Sequence, residues 1–154
     1  MSHTSIETLN QRPVGIGHLS NEALAQEPAR QAFWILRAGF TVATILAGLD
    51  KFFHVLVDWD QYLAPSVNGF LGGHGHQFML AAGVIEIAAG LGVLFRPRIF
   101  SYVVSAWLLG IIVNLLLIPG YYDVALRDLG LALGALALGR LSQVFDRKRA
   151  EAAA

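Results

Sequence analysis

The chain has no cysteine among its 154 residues. That excludes disulfides, thiol redox chemistry and thiolate metal sites, and it leaves the redox compartment open. Charge is also scarce. Only 14 % of residues are charged, against about 25 % in ordinary soluble domains. Acidic and basic side chains balance at 11 each, so net charge offers no footprint for a nucleic-acid partner. No phosphate loop, nucleophile elbow, HExxH or haem-attachment motif occurs. No histidines face each other inside an apolar run, as a haem bundle would require. No cleavable signal peptide is visible. The first apolar run starts around Ala32 without a small-residue cleavage pattern, so it reads as a retained span.

What the chain does have is apolar sequence. Hydrophobic residues make up 55 % of it, and the charges gather at segment ends. Four runs are each about long enough to cross a bilayer, which takes about 20 residues. They extend from about Ala32 to Phe53, Phe78 to Phe95, Ile99 to Ile118 and Val124 to Leu141. Arg96-Pro97-Arg98 reads as a tight charged turn, and Pro119-Gly120 as a break. The connection from His54 to Gln77 is long and holds Trp59, Tyr62 and Phe70. Such aromatics favour the headgroup region, so this loop reads as an interfacial element. The expected fold is all-α: an integral membrane four-helix bundle over residues 31–142, between a polar tail (1–30) and a basic tail (143–154). Ser20-Asn21-Glu22 suits a short helix in the first tail, and Pro28 the first turn of the next helix. A soluble bundle would need polar outer faces, which spans two and three lack.

Orientation follows from the basic residues. Arg12, Arg30, Arg96, Arg98, Arg140, Arg147, Lys148 and Arg149 share one side if four helices alternate, and Lys51 and Arg127 fall toward the other. Both termini are expected in the cytoplasm, with the long loop outside.

Glu86 lies near the middle of the run Phe78–Phe95, with no charged neighbour inside it. A carboxylate there costs several kcal/mol and must be paired, protonated or hydrated. Two readings follow: a buried pair or protonated carboxyl that fixes packing, or contact with a ligand or proton. Lys51 and Arg127 are the expected partners, with Arg37 reachable from the other end. Asp50 and His54 also lie at the outer end of span one. Arg37, Thr41, Thr44, Gly48 and Lys51 share one helix face, and so do Ala82, Gly83, Glu86, Ala89 and Gly90. Small residues on these faces permit close helix approach. Asp123 and Arg127, four apart, suit a local pair. Asp128 points about 100° away from Arg127 and is the better inward group. Asn114 reads as an interhelical hydrogen-bonding residue. The ligand-binding candidates are therefore Lys51, Glu86, Asn114, Arg127 and Asp128. Lys51 and Arg127 would donate to a ligand oxygen, and Glu86 or Asp128 would exchange protons. His54, His74 and His76 share the outer side and form a weak metal pattern. Solvated loop histidines are the default, and no metal site is assigned.

Several short pieces of this pattern occur together: Gly48-Leu49-Asp50-Lys51-Phe52, Gly83-Val84-Ile85-Glu86-Ile87, the Arg96-x-Arg98 turn, and Arg127-Asp128. In order and spacing they resemble the DoxX-like family of small four-helix membrane proteins, over about residues 33–142. The resemblance implies a multi-pass inner-membrane protein, usually bacterial. Some members are membrane subunits of thiosulfate:quinone oxidoreductases. Others accompany oxidative-stress or metal-handling proteins. On this analogy Lys51, Glu86 and Asp128 occupy the family's polar positions. With no cysteine, a redox role would need a bound quinone or a partner membrane or periplasmic protein. The expected function is a subunit, non-catalytic on its own, that binds or positions a quinone-like or small polar ligand. The alternatives are an assembly protein with a buried ion-pair lock, and a small-solute or proton pathway.

Overall fold

A computed structural model describes residues 16–152, with side chains described for residues 27–145. The described residues are helical, without a strand. The helices are α1 (Ile16–Phe53), α2 (Pro65–Phe70), α3 (Gly75–Phe95), α4 (Pro97–Leu116) and α5 (Tyr122–Ala152), with a 3₁₀ helix at Trp59–Tyr62. The chain divides into two compact units, residues 1–32 and 33–154. Within the first, Arg30 pairs with Glu27 at 2.8 Å on an exposed face.

Three described helices are long and apolar enough to cross a membrane: Glu27–Phe53, Gly75–Phe95 and Pro97–Leu116. Helix α5 covers the expected fourth span but is not among them, and Asp123, Arg127, Asp128 and Arg140 lie along it.

Local sequence explains the breaks. Pro97 occupies the first turn of α4, where its missing N–H costs nothing. Gly120 takes φ 97°, a left-handed turn that opens the way to α5. Helix α1 ends where Asp50 takes over the backbone: its Oδ1 accepts from the Val55 and Leu56 N–H groups, each at 2.9 Å. Pro65 starts α2 in the same way as Pro97 starts α4.

One expectation needs correction. The polar tail does not end in a separate short helix before Pro28. Helix α1 already runs from Ile16 and includes Pro28. The flanking residues, Glu22-Ala23-Leu24-Ala25-Gln26-Glu27 and Ala29-Arg30-Gln31-Ala32, are strong helix formers that offset one lost hydrogen bond. Helix α5 continues past Leu141 to Ala152. Arg12 and the side chains of Arg147, Lys148 and Arg149 lie outside the described residues.

In the second unit, α1 (from Phe33 on) lies against α3 through two glycines. A Cβ on Gly48 would stand 2.6 Å from the Gly83 carbonyl oxygen, and one on Gly83 2.7 Å from that of Gly48. Helix α4 meets α5 where the Ser105 hydroxyl donates to the Ala132 carbonyl at 3.0 Å. An apolar core of Phe33, Ala89, Val93, Val104, Ala135 and Leu138 draws on α1, α3, α4 and α5. It fills the end nearest the Arg96–Pro97 turn, here the turn end. The opposite end, carrying residues 54–74, is the loop end.

Candidate functional site: a buried ion pair under a tryptophan

The polar interior is inverted relative to a soluble protein. Ile85 is 45 % exposed while its neighbour Glu86 is 5 % exposed. Val42, Leu46, Val84, Leu109, Val113 and Leu133 also face outward, whereas Asp50 and Lys51 are buried. Carboxylates and ammonium groups turn inward in this way when the surroundings are lipid.

At the centre, Lys51 Nζ donates to Glu86 Oε2 at 2.6 Å. The Trp107 indole N–H donates to the other oxygen, Oε1, at 3.1 Å. Each carboxylate oxygen of Glu86 therefore has a donor, as a buried charge requires. Trp107 meets Glu86 because the two stand at equal distances either side of the Arg96–Pro97 turn, on antiparallel helices. Gly83 lets the Lys51 stem approach, since a Cβ there would lie 3.2 Å from the Lys51 Cβ.

The loop end covers this pair. The Lys51 ammonium lies 3.8 Å from the centroid of the Trp59 ring, a cation–π contact. The same indole donates its N–H to Asp50 Oδ2 at 2.7 Å. Asp50 thus joins the end of α1 to the 3₁₀ helix. Asn114 anchors the far side of that segment: its amide donates to the Tyr62 carbonyl, and its Oδ1 accepts from the Ala64 N–H at 2.9 Å. Asn114 therefore holds the connecting segment rather than lining the Lys51–Glu86 centre.

Asp128 is half-buried and lies within range of the charges of Glu86 and Lys51. It accepts no hydrogen bond from another described residue. Arg127 does not join the centre. Its guanidinium pairs with Asp123 at 3.0 Å, with side chains 70 % and 72 % exposed. At the turn end, Arg37 donates to the Leu94 carbonyl near the C-terminus of α3 and lies 4.9 Å from the Trp34 ring centroid. It does not reach Glu86's oxygens, which are taken by Lys51 and Trp107.

The histidines separate into distinct roles. His76 Nδ1 bonds Asp60 Oδ2 at 2.8 Å. The His54 ring lies 6.1 Å from that of His76. His74 Nδ1 lies 3.1 Å from the Leu71 carbonyl oxygen. Among the described residues no three metal-ligating side chains gather around one point. A surface pocket of about 260 Å³ is lined by Asp60, Asn68 and His76 among others.

Sequence reasoning named Lys51, Glu86 and Asp128 as site groups but missed Trp59 and Trp107 as direct partners. Trp59 carried only an interfacial signal. The Trp107 signal was its depth, which matches that of Glu86 across the Arg96–Pro97 turn. No family model, curated protein or solved structure matches this chain at a significant level.

Proposed function

We propose that this chain is a DoxX-like, multi-pass protein of the inner membrane. It crosses four times, with both termini in the cytoplasm. It serves as a non-catalytic subunit whose buried polar centre holds a small polar or quinone-like ligand for a partner membrane or periplasmic protein. Support for the fourth crossing comes from α5, which exposes Leu126, Leu129, Leu131, Leu133, Leu136 and Val144.

One observation carries the functional reading. The chain keeps Asp128, a half-buried acid with no described partner, within electrostatic reach of an ion pair that is already complete. A buried ion pair is weak evidence for stability, because well-packed apolar residues do as well or better. A third ionisable group adds cost without a structural return. Intramembrane groups of this kind mark ligand or proton sites. Lys51 supplies N–H donors and Asp128 an acceptor. The quinone-like identity rests on the family resemblance alone.

A second reading is favoured by the saturation of Glu86. Both its oxygens have donors, as expected of an assembly protein with an ion-pair lock. Continuous proton passage has less support, because the apolar core occupies the turn end.

The test is mass spectrometry of small molecules and proteins that co-purify in mild detergent, comparing wild type with Asp128→Asn. The ligand reading expects Asp128→Asn to keep the wild-type melting temperature and lose the co-purified molecule. A lock expects retention to fall only as stability falls. Full retention at normal stability removes Asp128 from the site.

A further inference from the structure

The two ends of the polar centre are closed by different means. Toward the turn end, Ala89, Val93, Val104, Ala135 and Leu138 are buried in one apolar core. Opening that route would mean separating four helices. Toward the loop end, the Trp59 ring on a four-residue 3₁₀ helix covers the Lys51 ammonium, with Ala64, Met79 and Leu115 also buried at that end.

That 3₁₀ helix hangs between two fixed points. On one side Asp50 holds Val55 and Leu56. On the other, Asn114 holds Tyr62 and Ala64. The other bonds of the segment, Asp60 to His76 and Gln61 to Tyr121, are exposed and exchange with water. Moving the Trp59 ring off Lys51 breaks one cation–π contact, one hydrogen bond to Asp50 and one aromatic contact with Tyr62. No spanning helix has to move.

Resting on the reading of this centre as a ligand site, we propose that it opens from the loop end only, with Trp59 as the lid over Lys51. Lifting the ring frees N–H donors on Lys51, while Asp128 offers an acceptor nearby. The occupant that fits is a small molecule carrying an acceptor oxygen close to an O–H or N–H donor. Lys51 already balances Glu86, so that pair by itself leaves no net charge for an ion to meet. Trp59 is a positioning residue: it sets when Lys51 is reachable.

The absence of cysteine makes the test direct, because one introduced thiol is the only thiol. Ala82 is buried, on the Glu86 face and one turn nearer the loop end. Ala89 is buried on the turn side. Ala82→Cys and Ala89→Cys are each labelled in oriented vesicles with a membrane-impermeant maleimide, from either side. The expected result is slow labelling of Ala82→Cys from the loop side only, accelerated at least tenfold by Trp59→Ala. Ala89→Cys stays unlabelled from both sides. Labelling of either thiol from the turn side overturns one-sided access. A rate at Ala82→Cys unmoved by Trp59→Ala overturns the lid and leaves the ligand reading standing. No labelling in any background overturns both and favours the lock. If Ala82→Cys does not fold, Met79→Cys, buried on the same face of α3 and nearer the loop end, takes its place. Faster labelling in Trp59→Ala is again expected, and an unchanged rate overturns the lid.

Discussion

Removing one member of a buried ion pair leaves the other charge without a partner in a medium that cannot solvate it. For Lys51 and Glu86, 2.6 Å apart and nearly fully buried, that asymmetry dominates. Lys51→Met alone is expected to cost about 3–5 kcal/mol. Glu86→Gln should cost less, because its one amide oxygen can still accept from Lys51 or from Trp107, though not from both. The double variant should be more stable than the two single losses predict, read as a double-mutant cycle on detergent-solubilised protein. Strict additivity would mean that the two do not interact. Arg127 provides the contrast. Its pair with Asp123 is exposed, so Arg127→Met should change stability by no more than about 0.5 kcal/mol. It should also be additive with Glu86→Gln. A coupling between Arg127 and Glu86 comparable to that of Lys51 would contradict the observed geometry.

At the scale of elements, the decisive contact is between α1 and α3. Lys51 reaches Glu86 only because Gly48 and Gly83 bring two backbones together, each with a carbonyl where the other's Cβ would be. Gly83→Leu must push the helices apart, at a cost of about 1–3 kcal/mol or more. It should also lengthen the Lys51–Glu86 contact. Gly110 faces open space, so Gly110→Leu should leave the melting temperature near wild type. Equal effects of the two substitutions would show that α1 and α3 do not meet at Gly83. The connecting segment depends on a single side chain from α4. Asn114→Leu leaves the Tyr62 carbonyl and the Ala64 N–H without their described partners. Proteolysis between Trp59 and Ala64 should then become faster while the α1–α3 contact persists. An unchanged cleavage rate would mean that Asn114 does not anchor the segment.

For the whole molecule, the placement of basic residues sets the expected orientation. Arg96 and Arg98 mark the turn end, and the positive-inside rule assigns that end to the cytoplasm. A fluorescent reporter that matures only in the cytoplasm, fused after Ala154, should therefore fluoresce. The same reporter inserted at Gly73 should stay dark in an expressed, membrane-inserted fusion. The reverse pattern would invert the topology. A bright signal from both positions would rule out four crossings.

Much of the fold was legible because it rests on local signals. Apolar runs, Pro97 and Pro119-Gly120 mark where helices form and end, since both hydropathy and proline act within a few residues. The inward faces of α1 and α3 followed from helical periodicity, and the polar positions Lys51, Glu86 and Asp128 from their rarity in apolar sequence. Pro28 misled, because a local breaker was outweighed by its helix-forming neighbours. Only the tertiary structure decided which partner Glu86 takes. Periodicity says which face a residue occupies but not which helix stands opposite, so Lys51 and Arg127 were equal until α1 and α3 met at their glycines. The same holds for Trp59, Trp107 and Asn114. Their roles depend on how a loop folds back over helix ends, and that is fixed by contacts between residues far apart in the chain.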